Sequence, residues 1–150
     1  MKSAALPIYF HFLNVHFQLQ ERRRLKAFIL SMFKLEKTPL EELHYIFCPD
    51  AYLLELNMAY LKHDTYTDII TFSLSEKDAP IISDIYISID RVRENATILK
   101  TTFKEELHRV LFHGVLHLCG YSDKTKKEQH EMRRREDYYL KKYFVSRETL

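Results

Sequence analysis

The 150-residue chain has only two glycines, Gly114 and Gly120, and they stand six residues apart. Average composition would give about seven per cent glycine. Each of the two is therefore worth a separate question, and both fall in one segment, His113-Gly114-Val115-Leu116-His117-Leu118-Cys119-Gly120-Tyr121-Ser122-Asp123. The apolar spacing before it predicts a long apolar helix from Thr102 or Phe103 to Cys119. Gly120 then sits where a helix C-terminus needs positive φ. Gly114 keeps the helix thin where a sheet or a substrate packs.

Around this segment the chain reads as one α+β domain over residues 1–150. Strands are expected at Ile8–Phe12, Leu43–Phe47, Ile69–Leu74 and Ile82–Ile89, the last alternating Ile85, Ile87 and Ile89 against Asp84, Tyr86 and Ser88. Helices are expected over Glu21–Leu35, after a cap at Asp50, over Asp90–Ala96, and over Lys126–Phe144. The order predicts a small mixed four-stranded sheet packed with helices; the His113 and His117 pair puts the expected metal site at the end of the long apolar helix. Ten Phe and ten Tyr supply core material, and the near-balanced charge of +2 excludes a globally basic nucleic-acid binder. The first apolar stretch is broken by Pro7, His11 and Asn14 and precedes no small-residue cleavage site, so it reads as a strand. No apolar run approaches the roughly 20 residues of a membrane span. Cys48 and Cys119 form no disulfide framework. The expectation is a cytoplasmic protein that does not meet a membrane.

His113 and His117 are four apart, which on a helix puts both imidazoles on one face. Both can reach one ion at about 2.0–2.1 Å, and a hydrolytic zinc site needs a third protein ligand and an open position. If the chain reverses at Gly120, the carboxylate of Asp123 returns toward the histidine face. By spacing alone, two histidines on an apolar helix equally suit packing. A His-Glu-x-x-His metallopeptidase is disfavoured, because Gly114 stands where that pattern carries its base. His108 lies about 140° around the helix from His113, and His11, His16, His44 and His130 have no fixed relation to the pair.

The segment resembles the signature of the YbeY-type endoribonucleases, the bacterial rRNA maturation factors, whose pattern is His-Gly-x-Leu-His-Leu-x-Gly-Tyr-Asp-His. The match runs from His113 to Tyr121. Leu56-Asn57, Tyr60, Asp64, Thr67-Asp68 and Phe72 follow a second family stretch, and Asp84-Ile85 and Ile87 follow a third. The resemblance implies one zinc ion per chain, held by His113, His117 and Asp123, and cleavage of single-stranded RNA in 16S rRNA 3′-end maturation and ribosome quality control. Ribosomal proteins or the small subunit are the implied partners. Two departures stand out. Asp123 occupies the place of the family's third histidine, and Leu61 stands where the family has an arginine thought to contact the RNA.

The chemistry expected is metal-assisted phosphodiester hydrolysis, in which the ion makes a water more acidic and polarises a phosphoryl oxygen. His113, His117 and Asp123 act through the metal; Lys62, Arg91 and Lys124 are candidate phosphate contacts. Asp68 and Asp84 are the nearest acids by resemblance. Arg22–Arg24 and Arg133–Arg135 are basic runs partly offset by neighbouring acids. Tyr138, Tyr139 and Tyr143 suit packing better than base stacking. The alternative is a ribosome-assembly RNA-binding factor with a structural metal and little catalysis, motivated by Leu61.

Overall fold

Alternating apolar residues build four strands, since successive side chains in an extended chain face opposite ways. The computed structural model describes residues 5–61 and 67–148. Its strands are β1 (Ile8–Phe12), β2 (Leu40–Cys48), β3 (Ile69–Ser73) and β4 (Ile81–Ser88). Its helices are α1 (Arg22–Leu35), α2 (Asp50–Leu61), α3 (Ile89–Ile98), α4 (Phe103–Leu118) and α5 (Lys126–Glu148). The sheet order is β1-β2-β4-β3. The first three strands of that order run parallel, and β3 is antiparallel to β4. This is the small mixed α+β architecture expected.

Two local expectations change. Ile89 starts α3 instead of ending β4, because Ser88 Oγ accepts the Arg91 N–H at 3.1 Å and caps the helix there. Asp50 is the first residue of α2, not its cap. Its carboxylate accepts from Ser88 Oγ and Arg91, while its own N–H donates to Asp90 Oδ2 at 2.8 Å.

One sheet face, with Ile8, Leu43, Tyr45, Phe47, Ile85 and Ile87, packs in the main core with residues of α1, α4 and α5. Cys48, Leu53 and Ile70 form a smaller cluster with Leu56, Phe72 and Tyr86. In α4, Leu111, Phe112, Val115 and Leu116 are fully buried. Each such side chain contributes about 1.5–3 kcal/mol of hydrophobic stabilisation, an upper estimate against a real unfolded chain. A Cβ at Gly114 would lie 2.8 Å from Ile85 Cδ1 and 3.2 Å from Ile69 Cδ1. The helix is thin there for the sheet, not for a substrate.

The apolar description of α4 holds only in part. The helix buries Glu106 and His108 as well, carries Lys104, Glu105 and Arg109, and at 16 residues is shorter than the 23-residue α5. Periodicity registered the core-facing residues and passed over the polar ones buried beside them.

Helices α1, α3 and α4 end in the same hydrogen-bonded turn. Thr38 N–H reaches Phe33 O and Lys37 N–H reaches Lys34 O. Thr101 to Ala96 with Lys100 to Thr97, and Tyr121 to Leu116 with Gly120 to His117, repeat the pattern. These are Schellman closures, which need one left-handed residue each. Lys37 and Lys100 take it at φ 56° and 55°, whereas Gly120 opens to 103°.

Candidate metal centre

Helix α4 delivers His113 and His117 on one face of its last two turns, with ring centroids 4.9 Å apart and planes at 87°. A cation there also meets the negative end of the helix dipole. Beyond Gly120 the connection to α5 is short and tied at both ends. Tyr121 Oη donates to Glu36 Oε1 at 3.0 Å on the near side. On the far side Thr125 and Glu128 form a reciprocal capping box, with N–H to side-chain oxygen distances of 2.9 and 3.1 Å. Asp123 hangs between these two anchors.

Its Oδ2 lies 3.4 Å from His113 Nε2 and 3.6 Å from His117 Nε2. Ligands about 2.0–2.2 Å from one tetrahedral ion stand about 3.4 Å from one another. The two Asp123 distances match that spacing, and the cluster could hold a metal ion. Its three ligand atoms lie within 4.8 Å of each other, and no other such trio occurs among the described residues. Two imidazole nitrogens and a carboxylate oxygen also leave a fourth position open.

The two histidines are held differently. His117 is 35% exposed along its side chain, His113 only 18%. Behind His113, Nδ1 meets Glu136 Oε2 at 2.7 Å. The other Glu136 oxygen accepts from Arg109 Nη1 at 2.9 Å, and Arg109 Nη2 donates to Asp137 Oδ1 at 2.7 Å.

The centre opens on a cleft of about 730 Å³ lined by Leu61, Asp68, Glu106, Arg109, Arg133 and Glu136 together with the three ligands. Its electrostatics favour a cation. Burial draws the His113 imidazole down, but the Glu136 hydrogen bond and charge, then Asp123 and Asp68, push it above its ordinary value. Burial raises the Asp68 carboxyl, with His113 pulling the other way. Burial also raises Glu106, opposed by Arg109 and reinforced by Asp68. A site whose acids favour a proton on an imidazole equally favours a metal ion in the proton's place.

The remaining expected residues scatter. Lys62 and Asp64 lie outside the described residues. Arg91 does not line the cleft; carboxylate oxygens of Asp50 and Glu94 hold its guanidinium at 2.7 and 3.2 Å. Lys124 is exposed next to Asp123 in the chain, yet it is not part of the cleft wall. Asp68 lies in the cleft, whereas Asp84 falls on the alternate face of β4 from buried Ser83 and Ile85. Of the basic runs, Arg24 covers the Tyr143 ring, Arg134 and Arg135 pair with Glu131 and Glu36, and Arg133 reaches the cleft. Tyr139 and Tyr143 are buried in the core, as expected, and Tyr138 is exposed.

Sequence reasoning missed Arg109 and Glu136. A signal was present for Glu136. It sits four residues after Met132 and three before Tyr139, on the stripe that α5 buries, and an acid on an apolar stripe has a partner waiting.

Known proteins resemble this chain over most of its length. The sequence profile of the family described as Endoribonuclease YbeY matches residues 13–144. The Endoribonuclease YbeY of Cytophaga hutchinsonii is 51% identical over 133 residues, covering 89% of this chain and 93% of that protein. The one from Flavobacterium psychrophilum is 48% identical over 132 residues, covering 88% and 94%. A solution structure of a Thermotoga maritima protein superposes with a TM-score of 0.60 at 25% identity, covering 95% of this chain and 92% of that one. Profile, relatives and fold coincide over the residues that build the centre, and the chain belongs to the endoribonuclease YbeY family.

Proposed function

We propose that residues 1–150 act as one metal-dependent endoribonuclease domain, with one Zn²⁺ on His113, His117 and Asp123. The substrate is single-stranded RNA, in maturation of the 16S rRNA 3′ end and in ribosome quality control in the cytoplasm. Ribosomal proteins or the small subunit are the partners. The observation that carries this reading is the approach of Asp123 Oδ2 to both histidine nitrogens, 3.4 and 3.6 Å, in a chain whose relatives bear the name endoribonuclease.

When bound, the ion supplies Lewis acidity toward a phosphoryl oxygen and toward the attacking group. The protein's own residues do the rest. Arg133 on the cleft wall supplies positive charge for the RNA backbone, and Lys124, which follows Asp123 in the chain, adds a second cation. Asp68 lines the cleft, where burial raises its carboxyl pKa, and it is the candidate to exchange a proton with substrate. An aspartate in the ligand set in place of an imidazole adds one negative charge and shifts metal preference toward harder ions.

Leu61 lines the cleft, and it stands where relatives are expected to carry an arginine. That observation favours the second reading, an RNA-binding assembly factor with a structural metal. Purification without chelators, elemental analysis, and cleavage of single-stranded RNA by stripped and reconstituted protein separate the two. One zinc per chain, lost in Asp123→Ala together with cleavage, is the expected result. Metal-independent RNA binding with no cleavage would replace the first reading with the second.

A further inference from the structure

We propose that Glu136 is a positioning residue for the metal centre: it fixes the His113 imidazole with Nδ1 protonated and Nε2 presented to the ion, and Arg109 anchors it. The inference rests on the His-His-Asp reading above and adds a function for residues outside the ligand set.

The geometry commits every atom involved. Glu136 has a 6% exposed side chain, and each oxygen faces one donor: Oε2 meets His113 Nδ1 at 2.7 Å, and Oε1 meets Arg109 Nη1 at 2.9 Å. An ionised carboxylate only accepts hydrogen bonds, so Nδ1 must carry the proton. That leaves the Nε2 lone pair free, and Nε2 is the atom 3.4 Å from Asp123 Oδ2. A carboxylate behind a ligating histidine fixes its tautomer and ring plane and makes the ligating nitrogen more basic. Among the described residues no second carboxylate does this for His117, whose outer side chain is exposed. The centre is thus asymmetric, with one ligand set by α5 and one set by α4 alone. Arg109 is one helical turn before His113, so α4 supplies both the ligand and the cation that steadies its partner on α5.

Glutamine at position 136 separates positioning from simple packing. Its amide keeps the size of glutamate but offers one acceptor and one donor, and the site presents two donors. If the amide oxygen turns to Arg109, its NH₂ faces His113 Nδ1 and favours the non-ligating Nε2–H tautomer. Glu136→Gln should therefore weaken Zn²⁺ affinity about 10- to 100-fold, read by chelator competition on protein confirmed folded by circular dichroism. Adding Arg109→Met removes the competing donor, frees the amide oxygen for His113, and should restore several-fold of that loss. A purely structural pair predicts the opposite, since the double variant removes more of the α4–α5 contact.

The zinc-loaded wild-type protein gives a check that needs no variant. Nitrogen-15 NMR should show His113 bound through Nε2 with a solvent-protected Nδ1–H. Binding through Nδ1, or Zn²⁺ affinity in Glu136→Gln within twofold of wild type, overturns the inference. His117→Ala serves as control. If it too keeps full affinity, the ligand assignment has failed; if it loses the metal while Glu136→Gln keeps it, only the positioning inference has failed.

Discussion

Two histidines of α4, His108 and His113, make the same hydrogen bond and end in opposite electrostatic states. Each places Nδ1 2.7 Å from an oxygen, Lys104 O for His108 and Glu136 Oε2 for His113. His108 stacks on Tyr143 with Phe112 and Phe144 around it. Burial there pushes its pKa down to about 4 despite the carbonyl's opposing effect. His113 is also buried, yet the Glu136 carboxylate and its acidic neighbours carry it upward. Desolvation penalises the cation in both places; only a full negative charge outweighs it. Position around the helix, not burial, decides which histidine is enclosed by rings and which faces carboxylates.

The widest separation of the two comes from removing each in turn. His113→Ala should abolish metal binding by elemental analysis while leaving a folded protein. His108→Ala should keep the metal and lose about 2–4 kcal/mol of stability in urea unfolding, because it opens a cavity among aromatic rings. A His108→Ala protein that lost its metal while still folded would break the comparison.

The pH dependence sharpens it next. His108 is neutral in the folded state down to about pH 4, whereas in the unfolded chain it protonates near the ordinary imidazole value of 6.5. Between those values the unfolded state binds more protons, so stability falls as pH falls. The contribution is fully present above pH 6.5 and is lost through this window, the loss reaching about 3 kcal/mol at the bottom of it. His108→Phe removes the titrating group. Its unfolding free energy should therefore lose less than the parent's between pH 6.5 and 4. Parallel curves for the two proteins would show that His108 does not titrate this way.

What could be read from the sequence follows the range of the interactions. Strands announced themselves by alternation, and His113 and His117 by four-residue spacing. Asp123 was legible because Gly120 marks the turn that returns it. The Arg109–Glu136 pair was not, since it joins residues 27 apart in sequence across two helices whose docking no local pattern states. Arg91 misled for the same reason: its Asp50 partner is 41 residues away. Charged residues look solvated until the fold supplies their partners.

The end of α4 offers a smaller contrast with the ends of α1 and α3. Gly120 stands at φ 103°, where an L-residue is strained, and a Cβ there would meet nothing within 4 Å. Gly120→Ala should therefore cost about 1–2 kcal/mol through backbone conformation alone, and should weaken metal binding by displacing Asp123. Lys100 already holds φ 55°, so Lys100→Gly should gain a few tenths of a kcal/mol to about 1 kcal/mol and leave the metal untouched. Thermal unfolding and metal titration of both variants check the pair; a loss of metal from Lys100→Gly would contradict it.

A small net effect is also expected at Gly114, where two opposing contributions largely offset each other. Alanine gains about 1 kcal/mol over glycine inside a helix by restricting the unfolded chain. Against that, the new methyl would stand 2.8 Å from Ile85 Cδ1, and overpacking a filled core typically costs about 1–3 kcal/mol. Cδ1 is the end of a side chain, but Ile85 is fully buried and has little room to turn. Overpacking should win narrowly, with Gly114→Ala losing about 1 kcal/mol. Ile85→Val removes the obstructing Cδ1, so in that background the same change should become neutral or stabilising. The coupling between the two substitutions, measured in a double-mutant cycle, should exceed about 0.5 kcal/mol. Additive effects would mean that the glycine is not there to admit Ile85, and that the close approach of helix and sheet has another cause.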